Sequence, residues 1–416
     1  MERSVEPSFV DGDLKAPSSK SMTQRAIAAA MLAPGQSIIR NPSYCDDSLA
    51  AMSIAVGLGA KVEPGPGEMK ISGGFEVKEN KLNCGESGLA IRMFTPVAAL
   101  YPESITLSGS GSLKNRPMSM IGEALAQLGV DFSSRDGYLP LTVRGPIAGG
   151  KIEIDGSVSS QLLTGLLIAL PLAEHDSTIT VKNLKSKPYI DMTLDILKDF
   201  GIHAENNNYQ SFYIPGKQRY IAREYEVESD WSGGAFILVA GAINGNLRVT
   251  GLKRNSAQSD TAILKALQDA GANISFGDDY IEVSRSEMNS FSFDATESPD
   301  LFPPLAALAA YCSGTSVVKG VSRLAHKESD RAGALKDEFG KMGITISISD
   351  DIMKITGGKV TGASTESHND HRIAMALAVA ALGANAKVSI RDSHSVGKSY
   401  PGFFDDLRIV GAMINE

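Results

Sequence analysis

Hydrophobic positions along the chain recur on a long period. One short phrase appears six times, as LGAKV around Gly59, LGVDF around Gly129, FGIHA around Gly201, AGANI around Gly271, MGITI around Gly343 and VGAMI around Gly411. The glycines stand 70, 72, 70, 72 and 68 residues apart, the mark of a repeat architecture. Each phrase closes an amphipathic segment, as in YIDMTLDILKDFG, where Ile190, Leu194 and Leu197 share one face. A glycine just past the last turn ends such a helix. Upstream lies a second helix, nearly apolar on all sides: SMTQRAIAAAMLAPG, SGLAIRMFTPVAAL, SSQLLTGLLIALPLA, SGGAFILVAGAING, LFPPLAALAAYCSG and HRIAMALAVAALGA. A helix without a polar face must be buried. β-Branched runs such as SIIRN, SITLSG and STITVKN separate the two helices, and alternating runs such as KISG, LTVRG, FYIPG and YIEVS follow the second. Each repeat reads buried helix, strand, amphipathic helix, strand pair.

A unit of about 70 residues buries an all-apolar helix only by sharing it with copies. The six units are therefore expected to gather into one or two α/β bodies with small-residue helices inside and sheets outside. An α-solenoid is the competing arrangement, disfavoured by strand signals in every unit. Periodicity alone leaves open whether the units group as three plus three.

Composition narrows the function classes. The chain of 416 residues carries 40 Lys and Arg against 48 Asp and Glu, a net charge of −8, which argues against holding nucleic acid by bulk charge. Any anion site must be local. Cys45, Cys84 and Cys312 form no CxxC pair, so neither a disulfide framework nor a zinc ribbon is expected, and a reducing compartment is. The first residues lack a basic stretch followed by an apolar one, and no run nears ~18 apolar residues, so the reading is no signal peptide, no membrane span and a cytoplasmic location.

The unusual chemistry collects just ahead of the apolar helices, where unpaired N–H groups and a positive dipole end favour anions. APSSKSMTQRA supplies Lys20, Ser21 and Arg25; NCGESGLAIR supplies Gly85, Gly88 and Arg92, with Arg116 soon after in GSGSLKNRP. SVSSQ gives Ser159, Ser160 and Gln161, and SKPY gives Ser186 and Tyr189. ESPD sets Asp300 at a helix entrance, where capping is the plain alternative. KESDR concentrates Lys327, Glu328, Asp330 and Arg331, a run that elsewhere would be a solvated helix end. NDHR supplies Asp370, His371 and Arg372 at the head of an apolar helix, where an arginine is costly without an anionic partner. GKSYP adds Lys398. His368 and His371 stand three apart, but no further His or Cys lies at ligand spacing, so no metal is expected. Eight cations with two carboxylates, Asp300 and Glu328, fit a strongly anionic substrate pair such as two phosphorylated acids.

In order and spacing, KS...R at 20 to 25, GESGLAIR at 85 to 92, RP at 116, SVSSQ at 157 to 161, SKPY at 186 to 189, Asp300, KESDR at 327 to 331, NDHR at 369 to 372 and GKSYP at 397 to 401 make the chain resemble the 5-enolpyruvylshikimate-3-phosphate synthase family of enolpyruvyl transferases. The resemblance implies an inverse α/β fold of two pseudo-threefold domains, each of three βαβαββ units with buried parallel helices and outer sheets. By analogy one domain covers residues 20 to 227, mainly on the shikimate 3-phosphate side, and a discontinuous one covers 1 to 19 with 228 to 416. It implies transfer of the enolpyruvyl group of phosphoenolpyruvate to the 5-hydroxyl of shikimate 3-phosphate in an interdomain cleft, by a monomer without metal or cofactor.

Carried over by position, Lys20, Ser21, Arg25, Ser159, Ser160, Gln161, Ser186, Tyr189, Asp300 and Lys327 resemble shikimate 3-phosphate contacts. Lys20, Gly88, Arg116, Gln161, Arg331, Arg372 and Lys398 resemble phosphoenolpyruvate contacts. Lys20, Asp300, Glu328, Arg372 and Lys398 are the implied catalytic set. Glu86, Met93 and Arg323 depart from residues common in the family, whereas Gly88 is the small residue associated with sensitivity to the phosphoenolpyruvate mimic glyphosate. The rival readings are an enolpyruvyl transferase for UDP-N-acetylglucosamine, which typically has Lys-Asn where this chain has Lys20-Ser21, and a non-catalytic anion-binding repeat protein.

Overall fold

The computed structural model describes residues 1–416 apart from Val158 and His326. Among the described residues stand twelve α-helices: α1 (Lys20–Leu32), α2 (Asp46–Gly57), α3 (Gly88–Ala98), α4 (Ser119–Gln127), α5 (Gln161–Ala169), α6 (Lys187–Asp199), α7 (Trp231–Asn244), α8 (Ile263–Asp269), α9 (Phe302–Ala310), α10 (Arg331–Lys341), α11 (His371–Ala381) and α12 (Phe403–Ile409). The odd-numbered helices are the apolar runs, and α3, α9 and α11 are buried at every position. The even-numbered helices bury a stripe. In α6 that stripe is Ile190, Met192, Thr193, Ile196 and Leu197, with Leu194 only half-buried at its margin. All six phrase glycines hold positive φ, from +74° at Gly129 to +112° at Gly59, which is the helix-ending conformation that side chains resist.

Among the described residues, six four-stranded sheets accompany the six helix pairs. In each, the strand after the buried helix has a parallel neighbour on one side and an antiparallel one on the other. Ser104–Ser108, for example, lies between Lys81–Asn83, parallel to it, and Tyr138–Arg144, antiparallel to it. The chain divides into two compact units, Ser18–Glu228 and Met1–Pro17 with Ser229–Glu416. Each has its own hydrophobic core and three repeats.

Closure within each unit uses distant chain. In the continuous unit the parallel partner of Gly35–Arg40 is Glu224–Glu226, at the other end of its sequence. In the discontinuous unit Val10–Lys15 is the parallel partner of Gly245–Thr250. Glu2–Val5 sits between Val388–Arg391 and Ile414–Asn415, antiparallel to both, and so fills the place that a second strand of the hairpin occupies in the other repeats. No helix among the described residues is long and apolar enough to cross a membrane.

Small residues decide how closely the buried helices approach. A Cβ built on Gly165 of α5 would lie 2.6 Å from the Arg92 carbonyl oxygen and 2.8 Å from that of Met93 in α3. Only glycine fits, and the near contact of backbones sets the start of α5 beside the first turns of α3.

Candidate active site

In the continuous unit, Ser87 caps α3, its Oγ accepting from the Ala90 amide at 3.2 Å and donating to Gln24 Oε1 of α1 at 3.0 Å. Gly88 then opens the helix. A Cβ built there would lie 2.5 Å from Arg116 Nη1, 3.1 Å from Arg92 Nη1 and 3.6 Å from Gln161 Oε1. Side chains from three segments thus converge on a helix start that has none of its own: Arg92 one turn into α3, Gln161 as the first residue of α5, and Arg116 directly after the 3-10 turn Gly111–Asn115. Arg92 Nη1 donates to Gln161 Oε1 at 2.9 Å. Two almost buried guanidiniums at the positive end of a helix attract anions strongly. Glu86 supports the arrangement, since its Oε2 accepts from the Ser112 amide at 3.2 Å and braces the turn that ends at Arg116.

Lys20 is the first residue of α1, behind the Ser19 cap, and its Nζ donates to Asp47 Oδ2 at 2.9 Å. Arg25, one turn on, is 1% exposed. Its Nε donates to Thr193 Oγ1 at 2.9 Å, Nη1 to the half-buried Ser21 carbonyl at 2.9 Å, and Nη2 to Thr164 Oγ1 at 3.3 Å and the Tyr189 carbonyl at 3.4 Å. All four acceptors are neutral. Burial without a carboxylate pushes the Arg25 guanidinium down to about 10.

Ser159 Oγ accepts from the Gln161 amide at 3.1 Å. Ser160 is the cap position of α5 but makes no side-chain cap bond, and Ser186, just ahead of α6, holds φ +57°. Val158 of the SVSSQ phrase lies outside the described residues.

The discontinuous unit builds a network of charges on the starts of α9, α10 and α11. Asp300 lies in the 3-10 turn Pro299–Leu301 ahead of α9 and is not its cap. Its Oδ1 takes Arg331 Nη1 at 2.9 Å and Lys327 Nζ at 3.2 Å, and its Oδ2 takes Arg372 Nη2 at 3.1 Å. Arg331 is fully buried and reaches Asp370 through Nε at 2.9 Å and Nη2 at 3.3 Å, and Glu328 Oε2 at 2.7 Å. Asp370 also caps α11, accepting from the Arg372 amide at 2.9 Å. Lys398 Nζ donates to the Asn369 carbonyl at 2.7 Å.

The electrostatics follow from these pairs. Burial alone would raise the Asp300 carboxyl, but Arg372, Lys327 and Arg331 outweigh it and hold it well below the usual range. Burial lowers Lys327, with Asp300 and Glu328 only partly compensating. Against burial, the surrounding carboxylates raise Arg331 and Arg372. Asp260, 1% exposed, accepts from Ser232 Oγ and from Ser259 Oγ, and burial together with the Asp300 charge pushes its carboxyl up to about 6.

The sequence suggests a positive set opposed by Asp300 and Glu328 alone, and the structure corrects that balance. Asp47, Asp370 and Asp260 also face these cations, so the excess of positive charge is smaller than the count of Lys and Arg implies. Asp47 is overlooked because an acid in a first helical turn reads as a dipole partner. Thr164 and Thr193, which seat Arg25, are overlooked because a lone threonine inside an apolar run or on the buried stripe of an amphipathic helix carries no functional signal. The two histidines turn to different partners, His368 Nε2 to Glu338 Oε1 at 2.7 Å and His371 Nδ1 toward Asp370 at 3.9 Å.

A model of the EPSP synthase (3-phosphoshikimate 1-carboxyvinyltransferase) family matches residues 5–407. The 3-phosphoshikimate 1-carboxyvinyltransferase of Thermococcus kodakarensis is 41% identical, with 96% of this chain and 97% of that protein covered. The protein of the same name from Clostridium novyi is 38% identical, covering 99% and 97%. Among solved structures, EPSP synthase from Acinetobacter baumannii aligns over 100% of both chains at a TM-score of 0.84 and 25% identity. The enolpyruvyl transferase NikO from Streptomyces tendae shares the fold at a TM-score of 0.81 and 17% identity, covering 100% of this chain and 98% of its own. With the family model spanning nearly the whole sequence and relatives matched end to end, the chain belongs to the EPSP synthase family.

Proposed function

We infer that the chain catalyses the reaction for which its relatives are named, transferring the enolpyruvyl group of phosphoenolpyruvate to the 5-hydroxyl of shikimate 3-phosphate with release of phosphate. That is a step of the shikimate route toward chorismate and the aromatic amino acids. The observation that carries this reading is the convergence of Arg116, Arg92 and Gln161 on the bare start of α3 at Gly88, a cradle for a small phosphorylated acid. Arg25, buried among neutral oxygens, is the counterpart suited to a second anion.

In the first step the 5-hydroxyl oxygen bonds to C2 of phosphoenolpyruvate, its proton leaves, and the methylene carbon gains a proton to become methyl. In the second step the methyl loses a proton and the C2–O bond to phosphate breaks. Asp300 is the acceptor for the hydroxyl proton. Its three cationic neighbours make it a weak base in the free protein, and anionic substrates that draw those cations away raise its basicity. Glu328 with Lys398 or Lys20 moves the methylene proton. Lys20, Arg116, Arg331 and Arg372 stabilise charge on the departing phosphate.

Ser21, Arg25, Ser159, Ser160, Gln161, Ser186, Tyr189 and Lys327 bind shikimate 3-phosphate on this reading, with Lys20 touching both substrates, and no cofactor takes part. The protein works as a monomer in the cytoplasm, without nucleic acid. The buried free thiols of Cys45, Cys84 and Cys312 and the net charge of −8 support those last two points.

The deciding measurement is phosphate release from phosphoenolpyruvate with and without shikimate 3-phosphate. Release that requires shikimate 3-phosphate is expected. Release only with UDP-N-acetylglucosamine, or none with either acceptor, overturns the reading. Lys20→Ala and Arg372→Ala are each expected to lower kcat by about 100-fold or more with an unchanged circular dichroism spectrum, and a near-normal rate removes that residue from the catalytic set.

A further inference from the structure

We propose that Glu338 and His368 form a positioning pair that fixes the Asn369 carbonyl and, through it, the Lys398 ammonium. The proposal deepens, and rests on, the role given above to Lys398. Helix α10 holds the segment ahead of α11 at two places. At its first residue, Arg331 grips Asp370. Two turns further along the same helix, Glu338 is 1% exposed. Its carboxylate accepts from the Glu366 amide at 3.0 Å, from His368 Nε2 at 2.7 Å and from Lys341 Nζ at 2.8 Å. An apolar residue would fill that helix face at lower desolvation cost, so the carboxylate is there for what it holds. Burial pushes its carboxyl up, yet hydrogen bonds from Lys341, His368 and the Glu366 amide prevail and keep it below the usual range. Being ionised, it only accepts, which assigns the ring proton of His368 to Nε2.

Between the two anchors the backbone is strained. His368 and Asn369 have φ of +53° and +55°, two consecutive non-glycine residues in the left-handed region. Two such residues in succession persist where the surroundings over-determine them. That turn decides where the Asn369 carbonyl points, and the carbonyl accepts from Lys398 Nζ at 2.7 Å. Releasing His368 from Glu338 frees the turn to relax, and the ammonium moves with its acceptor.

The test is steady-state kinetics on the full chain, with His368 as the main site because its side chain is 37% exposed and tolerates change. His368→Leu is expected to lower kcat about tenfold with both KM values within about twofold, since a displacement well under 1 Å of a reacting group costs that much. His368→Gln, whose amide can donate to the same carboxylate, is expected to recover most of the loss. In a Lys398→Arg background His368→Leu is expected to cost less than about twofold, because the group it positions is already gone. An unchanged kcat for His368→Leu, or the same tenfold loss in both backgrounds, overturns the proposal while leaving Lys398 in place. A wild-type kcat for Lys398→Arg removes Lys398 itself from the mechanism, and the positioning role falls with it.

Discussion

Asp260 is a buried carboxylate with Asp300 and Arg372 among its charged neighbours. Its carboxyl is raised from an ordinary 3.8 to about 6, by burial first and then by Asp300, with Arg372 and Ser232 opposing. The folded protein therefore binds this proton more tightly than the unfolded chain does. The contribution of Asp260 to stability is fully present below 3.8 and is lost as pH rises through about 6. Asp260→Asn keeps an acceptor for Ser232 and removes the penalty. It is expected to stabilise the protein by about 2 kcal/mol at pH 8 and by clearly less at pH 5, read as the change in Tm at the two pH values. An equal effect at both, or a loss at pH 8, contradicts the assignment. At this scale the cations of the site were legible, because Arg92 interrupts an apolar run and Lys20, Arg25 and Arg372 stand at the heads of apolar helices. Their partners were not. Asp47 looks like a helix-dipole acid and Asp370 like a cap, and nothing in the residue order says that Asp370 also holds Arg331, 39 positions away.

Elements were legible where a physical constraint acts on every copy. The six phrase glycines announce helix ends because positive φ is needed at each, and the apolar helices announce burial because they lack a polar face. The close approach of α5 to α3 was hidden, since a lone glycine in the leucine-rich run QLLTGLLIA does not say which backbone comes near it. Gly165→Ala forces a methyl group to within 2.6 Å of the Arg92 carbonyl and 2.8 Å of the Met93 carbonyl, both backbone atoms that cannot swing aside. The expected result is a loss of about 1 to 3 kcal/mol, with a higher KM for phosphoenolpyruvate as Gln161 is carried away from Arg92. Thermal melts and kinetics check both, and an unchanged melt shows that the helices have more slack than their spacing implies.

At the scale of the molecule, the first 17 residues belong to a unit whose remaining sequence starts at Ser229. They supply the parallel partner of Gly245–Thr250 and an inner strand between Val388–Arg391 and Ile414–Asn415. A fragment of residues 18 to 228 is expected to fold cooperatively alone, as its own last strand, Glu224–Glu226, closes the first sheet. A fragment of residues 229 to 416 is expected to stay unfolded until a peptide of residues 1 to 17 is supplied. Amide hydrogen exchange on the three preparations decides it, and a protected 229 to 416 fragment without the peptide refutes it. The same pairing sets a timetable for synthesis on the ribosome. Val10–Lys15 can pair once Gly245–Thr250 has been made, but Glu2–Val5 stays without its partners until Val388–Arg391 and Ile414–Asn415 have followed, long after the middle of the chain has been able to fold. Premature termination anywhere in the second half therefore leaves one finished unit joined to exposed strand edges, a species prone to aggregate and recognisable to quality control.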